Sequence, residues 1–502
     1  MLRLEGRGDF ISQATCHGTY GCSLPAEFHC KDCFGTELYC QSCTVERHHE
    51  HPLHRIKHWK DVFFHDVTLK SLGLRIQLGH PTQEHCYNPA ACQDFVILHV
   101  NGIHEVILEP KTAATFKLLR HFHILSFESK VSTFEYWQTL TCLTHNRGVD
   151  RYDALLRMIR EWRNITLLKH FGRGHNPAGT GATEQGSCAV LCPACPQPGK
   201  NLPENWESAP SETRWLYALF LAIDANFHLA RKNVSSDQMD PGLNRGWAYF
   251  MEEQQYKTFL TDVGRCPQEK STCASHNAVN LAETKNSRGL AATGAGTIDC
   301  LQHNFKRPCG VSDLQKGEKY VNMDYLLFST MQHMGDIAVL NISYDIACQW
   351  SMNLWQRMHQ YPSTIHLCHH DNKTITFLVP KFHLPAHIEI CQITYSHNLL
   401  KGMGRTDGEA PEHGWANINP VATSTREMGP GSRHDTLDDH FGDFNWKKVT
   451  NMGVSLSRKL KAAVPERDQH VRDFEDFNNA LEHKRPKQVV EWRLAVEQWE
   501  SV

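Results

Sequence analysis

The amino-acid sequence predicts a multi-domain α/β protein preceded by a small zinc-stapled finger. Its 502 residues, 40% of them apolar, are enough for about two to four domains with a core in each. Residues 16–60 are dense in Cys and His but poor in continuous apolar sequence, so this segment needs a cross-link such as a metal ion to fold. Apolar segments at 214–224, 337–345 and 374–380 have the composition of buried strands in one α/β core.

The net charge and the lack of signal or membrane-spanning segments exclude several classes of protein. The formal net charge of −3 excludes a globally basic nucleic-acid binder, so a DNA surface would have to be local or neutralised by metal. The charged start MLRLEGRGDF lacks the apolar region of a secretory signal. The longest apolar run, at 215–223, is about half a membrane span, so no membrane association is predicted. The lack of both signals predicts an intracellular, reducing compartment. In such a compartment, paired cysteines more often bind metal than form disulfides.

The finger is predicted from the spacing of its potential ligands. Two Cys-x2-Cys turns in CKDCFGTELYCQSC each present two thiolates to one ion, and two histidines follow them. A further pair upstream has five intervening residues instead of two. The resulting set could bind two zinc ions in a cross-braced arrangement that resembles a B-box: Cys16, Cys22, Cys30, Cys33, Cys40, Cys43, His48 and His54. His49 and His51 remain open as substitutes.

A second zinc site is predicted from two matched Cys-x2-His pairs. STCASH contains Cys273 and His276, and DCLQH contains Cys300 and His303. The alternative is two polar loops that bind no metal, and the spacing favours neither. The neighbouring cysteines at 188, 192 and 195 lack an obvious fourth ligand, so we interpret them as structural thiols.

The remaining chain divides by its hydrophobic pattern. Two short strands are predicted around the turn at 101–102, and apolar spacing predicts a helix at 151–171. Another helix, with Trp350, Leu354 and Met358 on one face, is predicted after the second apolar strand. The last helical pattern ends without a cap or stop signal, as in a fragment or a truncated gene model. The predicted regions are a zinc module at 1–60, a mixed α/β region at 61–150, the main domain at 151–450 and a helical tail at 451–502.

Three carboxylates are candidates for metal-dependent chemistry. Asp224 and Asp345 each end a buried apolar strand, and Glu409 lies in TDGEAPEHGW at a predicted helix start. If they converge, they form a site for two divalent ions about 4 Å apart, an arrangement suited to phosphodiester displacement. The alternative for each is a helix cap or a solvated helix start. Asp407 and Glu412 are interpreted as a turn former and as a helix-surface or supporting acid.

The motifs along the chain resemble a known family. LYCQSCTVERHHEHPLHRIKHW, LGLRIQLGH and HVNGIHEV are similar to the CxC2-like cysteine-cluster region that accompanies KDZ (Kyakuja-Dileera-Zisupton) transposases in fungal genomes. LCPACPQPGKNLP, LAIDANFHLARK, DLQKGEKYVNMDY, SYDIACQW, PKFHLPAHIE, RTDGEAPEHGWANIN and TREMGPGSRHDTLDD are similar, in this order, to the KDZ transposase domain. One departure is LEPKTAATF, which stands where the family usually has a Cys-x-Cys pair.

The resemblance implies an RNase H-like catalytic core with large insertions. Matched motif by motif, the DDE-type triad falls on Asp224, Asp345 and Glu409. The implied cofactors are Mg²⁺ or Mn²⁺ at this triad, in addition to structural Zn²⁺ in the finger. The implied activity is cut-and-paste recombination of transposon DNA in the nucleus, by a protein that forms a homo-oligomer when active.

We therefore predict a DDE-type DNA transposase, a metal-dependent polynucleotidyl transferase acting on mobile-element DNA. The alternative is a catalytically inactive or domesticated zinc-finger module that binds DNA or protein. A ubiquitin ligase is disfavoured, because no further Cys/His set has the layout of the RING site that such ligases need. Lys381, Phe382 and His383 could face DNA near the metals, although a structural role is the favoured interpretation of His383 and His387.

Overall fold

The computed structural model describes residues 6–18, 22–61, 63–76, 95–106, 112–144, 150–263, 273, 288–367 and 373–500. Strands β1 to β13 within these ranges are, in chain order, Phe28–Cys30, Ile56–Lys60, Phe63–Val67, Phe95–His99, Gly102–Val106, Thr112–Ala114, Leu219–Asn226, Arg231–Lys232, Leu290–Ala292, Gly294–Cys300, Lys306–Leu314, Val339–Tyr344 and Thr374–Leu378. Helices α1 to α13 are Gln41–Arg47, Phe116–Ser129, Thr133–Thr144, Tyr152–His170, Glu253–Val263, Tyr320–Met331, Ala347–Trp350, Leu354–Met358, Glu389–Thr394, Ala410–Ile418, Ala422–Arg426, Pro430–Lys484 and Pro486–Glu500.

The N-terminal module is built on a three-stranded antiparallel sheet in the order β1-β2-β3. Its small apolar core lies between this sheet and the chain that follows it. The buried members of that core are Phe28, Cys30, Ile56, Leu69, Leu72 and Leu74. β3 and these three leucines continue the packing of the module beyond residue 60, where the sequence predicts its end.

A second unit combines the β5-β4-β6 sheet with helices α2 to α4. The hairpin predicted around residues 101–102 is confirmed, since β4 and β5 pair antiparallel on either side of it. The helix predicted at 151–171 is also confirmed as α4. Leu155 and Ile159 of α4 pack in one core with Val96 and Leu98 of β4. Residues on both sides of the predicted boundary at 150 therefore share one apolar core.

The largest sheet has five strands in the order β11-β10-β7-β12-β13. Strands β7, β12 and β13 run parallel, whereas β10 is antiparallel to both β7 and β11. Leu219 to Ile223 of β7 are buried without interruption, as expected for a strand covered on both faces. All three predicted strands are thus present, and β7 continues two residues past Asp224.

Two short helices follow β12 where one was predicted. α7 ends at Trp350, and Asn353 takes a non-helical conformation before α8 begins. Asparagine favours helix starts over helix interiors because its side chain competes for backbone hydrogen bonds. Trp350, Leu354 and Met358 nevertheless all reach the main core, as predicted.

Helix α12 is a single helix that crosses the predicted boundary at 450. From Pro430 to Asn445 it packs into the domain, and its later turns are mostly exposed. Asp438 accepts hydrogen bonds from the backbone N–H groups of Tyr249 (3.2 Å) and Phe250 (2.8 Å). Among the described residues, none of the helices has both the length and the apolar character needed to cross a membrane.

Candidate active site and metal-binding clusters

The sheet register brings the first two predicted acids side by side. Tyr344 of β12 pairs with Ile223 of β7, and the strands are parallel. The next residue along each strand is therefore Asp345 and Asp224, respectively. Because parallel strands end at the same edge of a sheet, both carboxylates lie at one edge, where ligands of α/β proteins commonly bind.

Asp224 is fixed by two hydrogen bonds. The Trp415 indole Nε1–H of α10 donates to its Oδ2, and the Ala225 backbone N–H donates to its Oδ1 at 2.7 Å. Burial, followed by the negative charge of Asp345, raises the pKa of Asp224 well above its usual value, despite the donation from Trp415. The carboxylate is thus held rigidly in a place that disfavours its negative charge.

Asp345 lies in a similarly unfavourable electrostatic environment. Burial raises its pKa to about 7, an effect that the nearby His383 opposes and that Glu318, Glu412 and Glu409 reinforce. His383 Nε2 is 3.7 Å from Asp345 Oδ2 and 3.4 Å from Glu412 Oε1. The hydrogen bond to Glu412 raises the pKa of His383 to about 9, so this imidazole carries a positive charge at neutral pH.

Glu409 and Glu412 enter the site from the start of α10. Glu409 immediately precedes the helix and accepts a hydrogen bond from the Phe382 backbone N–H at 2.9 Å. Burial raises the pKa of Glu409 to about 7, with a further contribution from Glu412. Burial also acts to raise the pKa of Glu412, but hydrogen bonding to His383 and Glu409 holds it below the usual value.

The acidic groups together fit a divalent cation. Their mutual repulsion and their burial are offset within the cluster mainly by one imidazolium, and hard cations prefer carboxylate oxygens. One ligand atom each from Asp345, His383 and Glu412 lies within 4.8 Å of the others, and this group includes neither Asp224 nor Glu409. His383 would have to lose its proton to act as a ligand in it. We define the acidic site as these interacting residues: Asp224, Glu318, Asp345, His383, Glu409 and Glu412.

Four members of this environment had not been assigned to catalysis from the sequence. Glu318 and His383 come from loops, and the sequence contains no periodicity that would select them. Glu412 was interpreted as a helix-surface or supporting acid, although its spacing of three from Glu409 does place both on one helical face. The hydrogen bond of Trp415 to Asp224 joins α10 to β7, a contact that only the folded sheet reveals.

The eight predicted ligands of the finger lie in two groups of four. Cys16, Cys22, Cys40 and Cys43 form the first cluster, with Sγ–Sγ distances of 3.8 Å for Cys22–Cys40 and 3.9 Å for Cys22–Cys43. Gly18 packs against this cluster, and a Cβ at that position would overlap Cys43 Sγ. The donor set is that of a structural zinc site.

The second cluster of the module combines two thiols with two imidazoles. His54 Nδ1 is 3.5 Å from Cys30 Sγ and 3.4 Å from Cys33 Sγ, and His48 Nε2 is 3.5 Å from Cys33 Sγ. His48 Nδ1 lies 2.6 Å from the Thr44 carbonyl oxygen. That hydrogen bond orients the ring so that Nε2 faces the sulfurs, as is usual for histidines that bind zinc. His49 and His51 belong to neither group.

The single site predicted from Cys273, His276, Cys300 and His303 is corrected. The structure places Cys300 and His303 with Cys192 and Cys195, in a third cluster at the end of β10. Cys300 Sγ is 3.2 Å from Cys195 Sγ, and His303 Nδ1 is 3.5 Å from both Cys192 Sγ and Cys300 Sγ. Two of the cysteines interpreted as structural thiols therefore gain partners from a segment more than a hundred residues away.

Cys273 belongs to a fourth cluster, with Cys348, His387 and Cys391. His276 lies outside the described residues. The predicted pairing failed because sequence spacing identified two-residue turns but did not show which turns the sheet brings together. The structural role expected for His387 is replaced by a place among three sulfurs.

Comparison with known families supports a transposase. Residues 217–445 match the family model of the Kyakuja-Dileera-Zisupton (KDZ) transposase. This range contains every residue of the acidic site. Residues 69–109 and 107–148 match the CxC2-like cysteine cluster associated with KDZ transposases. Residues 217–445 are thus similar to a KDZ transposase domain, and residues 69–148 are similar to the CxC2 region associated with it. No curated protein and no solved structure matches the chain.

The two clusters of the N-terminal module lie before both matches. The last ligand of that module is His54, and the CxC2 match begins at residue 69. The sequence resemblance had placed the segment around LYCQSC inside the CxC2 region. The eight ligands therefore rest on their own geometry and not on the family match.

Proposed function

We propose that the protein is a DDE-type DNA transposase whose acidic site cleaves and joins transposon DNA. The observation that carries this proposal is the register of the adjacent parallel strands β7 and β12, which places Asp224 beside Asp345, the residue directly after β12, with Glu409 entering just before α10. Carboxylates on separate rigid elements that meet at one sheet edge are suited to hold metal ions in fixed positions. The mixed five-stranded sheet that presents them is compatible with the RNase H-like core implied by the resemblance.

The metal requirement follows from the electrostatics of the site. Two divalent ions, Mg²⁺ or Mn²⁺, would activate a water or a 3′-hydroxyl and stabilise the leaving oxygen. Asp224, Asp345 and Glu409 would hold these ions. The raised pKa values of all three acids indicate that binding of cations would displace protons from the site.

His383 and Trp415 support the acids in this proposal. The imidazolium of His383 faces both Asp345 and Glu412, so it partly neutralises the acidic site and limits repulsion before the cations bind. Trp415 fixes the direction of the Asp224 carboxylate. In these roles His383 balances the negative charge and Trp415 orients a carboxylate, and neither residue takes part in bond cleavage.

A basic groove beside the acidic site offers a path for DNA. It lies between α10 and α12, and its lining includes His413, Lys448, Arg458 and Lys459. Asp407 and Ala410, which flank Gly408 and Glu409 in the chain, also line this groove. Cationic side chains along one groove would contact the phosphate backbone locally, which agrees with the near-neutral charge of the whole chain.

The cellular setting and assembly follow from the same proposal. A transposase of this class acts on chromosomal DNA, so we propose a nuclear location. Synapsis of two transposon ends requires at least two active sites, so we propose a homo-oligomer on DNA. The Cys/His clusters of the N-terminal module would bind structural zinc and could present a further DNA-binding surface.

The test is DNA cleavage and strand transfer by the purified full chain, with Mg²⁺ or Mn²⁺ and DNA that carries the element's flanking ends. Asp345→Asn should reduce both reactions by at least about a thousandfold, because it removes a metal ligand and charge without changing side-chain size. Asp336→Asn is the matched control, since that exposed aspartate precedes the same strand at its other end.

Two results would contradict the proposal. Cleavage that is insensitive to Asp345→Asn would remove the acid from the mechanism. DNA binding without any metal-dependent cleavage by the wild-type chain would instead favour a non-catalytic zinc-finger module.

A further inference from the structure

We propose that Cys273, Cys348, His387 and Cys391 bind a structural zinc ion that ties together the loops carrying Asp345 and His383. This fourth cluster is separate from the acidic site and from the N-terminal module. The site would take zinc and not magnesium, because thiolates are soft ligands and Mg²⁺ requires oxygen.

The four ligand atoms converge with the spacing of a metal site. His387 Nδ1 is 3.4 Å from both Cys273 Sγ and Cys348 Sγ. All four ligand atoms lie within 4.8 Å of one another, and all four residues are buried. Three cysteines and one histidine are a usual donor set for tetrahedral structural zinc.

The ligands come from three separate places in the chain, because His387 and Cys391 are only four residues apart. Cys348 lies in α7, Cys391 lies in α9, and His387 follows a short 3-10 turn at Leu384–Ala386. Cys273 comes from the long connection between α5 and β9. Random proximity would rarely bring residues from three such segments to one buried point, where the three cysteines pack as one cluster with Tyr395 beside them.

The position of the ligands relative to the acidic site gives the cluster its functional meaning. Cys348 lies three residues after Asp345, and His387 lies four residues after His383. Both active-site residues stand on short connections that follow strands, Asp345 directly after β12 and His383 a few residues after β13. A metal ion at the ends of these two connections would fix their separation and therefore the geometry between Asp345 and His383.

Zinc content of the purified full chain tests the site itself. Cys391→Ser should contain about one zinc ion fewer per chain than the wild type, whereas Cys309→Ser should contain the wild-type amount. Cys309 is the matched control because it is buried in the main core and belongs to none of the four clusters. Equal zinc content in Cys391→Ser and the wild type would overturn the proposal.

A measurement on the wild-type chain covers the case in which Cys391→Ser does not fold. Native cysteine alkylation is followed by mass spectrometry, with and without a zinc chelator. We expect the chelator to speed modification of Cys348 and Cys391 at least about tenfold and to leave Cys309 protected. Identical modification rates with and without the chelator would overturn the proposed site.

The positioning role rests on the proposed function and needs its own readout. Cys391→Ser should weaken Mn²⁺ binding at the acidic site, and Cys391→His should restore zinc content and Mn²⁺ affinity together, because histidine can replace a thiolate ligand. If zinc is lost but Mn²⁺ affinity is unchanged, the positioning role is wrong and the zinc site stands. If Mn²⁺ does not bind the wild type, the proposed function fails separately.

Discussion

The N-terminal module and the five-stranded sheet domain maintain their structures by different means. The module buries a few apolar side chains around three short strands, and eight Cys and His ligands converge within it. The sheet domain surrounds β7 and β12 with a large apolar core that includes Trp350, Phe328 and Tyr344. The module therefore has donor sets through which zinc would supply its stability, whereas in the sheet domain a large apolar core positions carboxylates whose burial is unfavourable for folding.

The largest expected effect is loss of the module when one of its metal sites is broken. Structural zinc contributes on the order of 10–16 kcal/mol to the folding of small fingers, more than the few buried side chains here could replace. Cys33→Ser should therefore expose the backbone amides of β1 to β3 to rapid hydrogen exchange, while β7 stays protected.

Cys142→Ser is the control for that experiment, because this exposed cysteine of α3 belongs to none of the clusters. Retained protection of β1 to β3 in Cys33→Ser would mean that the apolar core alone holds the module. The contrast between the two regions would then be wrong.

A substitution in the apolar core should destabilise the sheet domain and leave the N-terminal module intact. Trp350 is fully buried, and its indole N–H donates to Asp324 Oδ1 at 2.6 Å. Trp350→Ala should lower the free energy of unfolding of the sheet domain by about 3–5 kcal/mol in urea titrations, without loss of zinc from the N-terminal module. Met352→Ala, at a neighbouring exposed residue, should change stability little; a large effect there would show that burial is not the cause.

The attachment of α12 gives a pH-dependent prediction. Burial acts against the charge of Asp313, but Arg433 and His434 of α12 hold the pKa of this carboxyl well below its usual value. A depressed carboxyl pKa stabilises the fold at pH values above the unfolded pKa of about 3.9, and this stability is lost as pH falls through the folded pKa.

Asp313→Asn should consequently lower stability at pH 7 by about 3–5 kcal/mol, because it leaves buried cations without their carboxylate. It should also flatten the loss of stability between about pH 5 and pH 2 in urea titrations. Asp468→Asn, on the exposed part of α12, serves as the comparison. Parallel acid profiles for wild type and Asp313→Asn would exclude this ion cluster as an anchor.

The smallest predicted effect concerns support of the acidic site. Trp415→Phe keeps an aromatic ring but removes the donor to Asp224, a bond of about 1.5–3 kcal/mol when the acceptor is charged. The cleavage rate should fall about 10- to 100-fold, with the pH dependence shifted upward because Asp224 loses a partner that favours its charged form. Trp446→Phe, exposed on α12, should leave the rate unchanged. An equal loss in both variants would indicate a general effect on folding.

Where the sequence has a strong local hydrophobic pattern, the helix or strand that it predicts is present in the structure. The apolar runs around Leu221 and Ile342 fixed two buried strands, and the spacing in 151–171 fixed α4. β10 and β11 escaped prediction because GAGTIDC and KRPCGVSDL contain glycine and charged residues, which disfavour strands. Their burial depends on a paired Lys306 and Asp299, 2.6 Å apart, and sequence does not show that such partners will meet.

The difference between local patterns and long-range contacts also explains which site residues the sequence revealed. Ligands within one short segment, such as Cys30 and Cys33, were recognisable because a two-residue spacing is itself a local geometry. The contact between Cys192 and Cys300 depends on how distant segments of the chain fold together, and so does the contact between His383 and Asp345. The assignment of Asp224, Asp345 and Glu409 came mostly from the family resemblance, and the strand register now supplies a physical reason for the first two to be adjacent.

The central claim is that the acidic site binds divalent cations through Asp224 and Asp345. Anomalous X-ray scattering from crystals of the full chain soaked in Mn²⁺ tests it directly. The account predicts manganese peaks in contact with both carboxylates, and their loss in Asp345→Asn while the zinc peaks at the Cys/His clusters remain. Absence of manganese at these carboxylates in well-ordered crystals of the wild-type protein would contradict it.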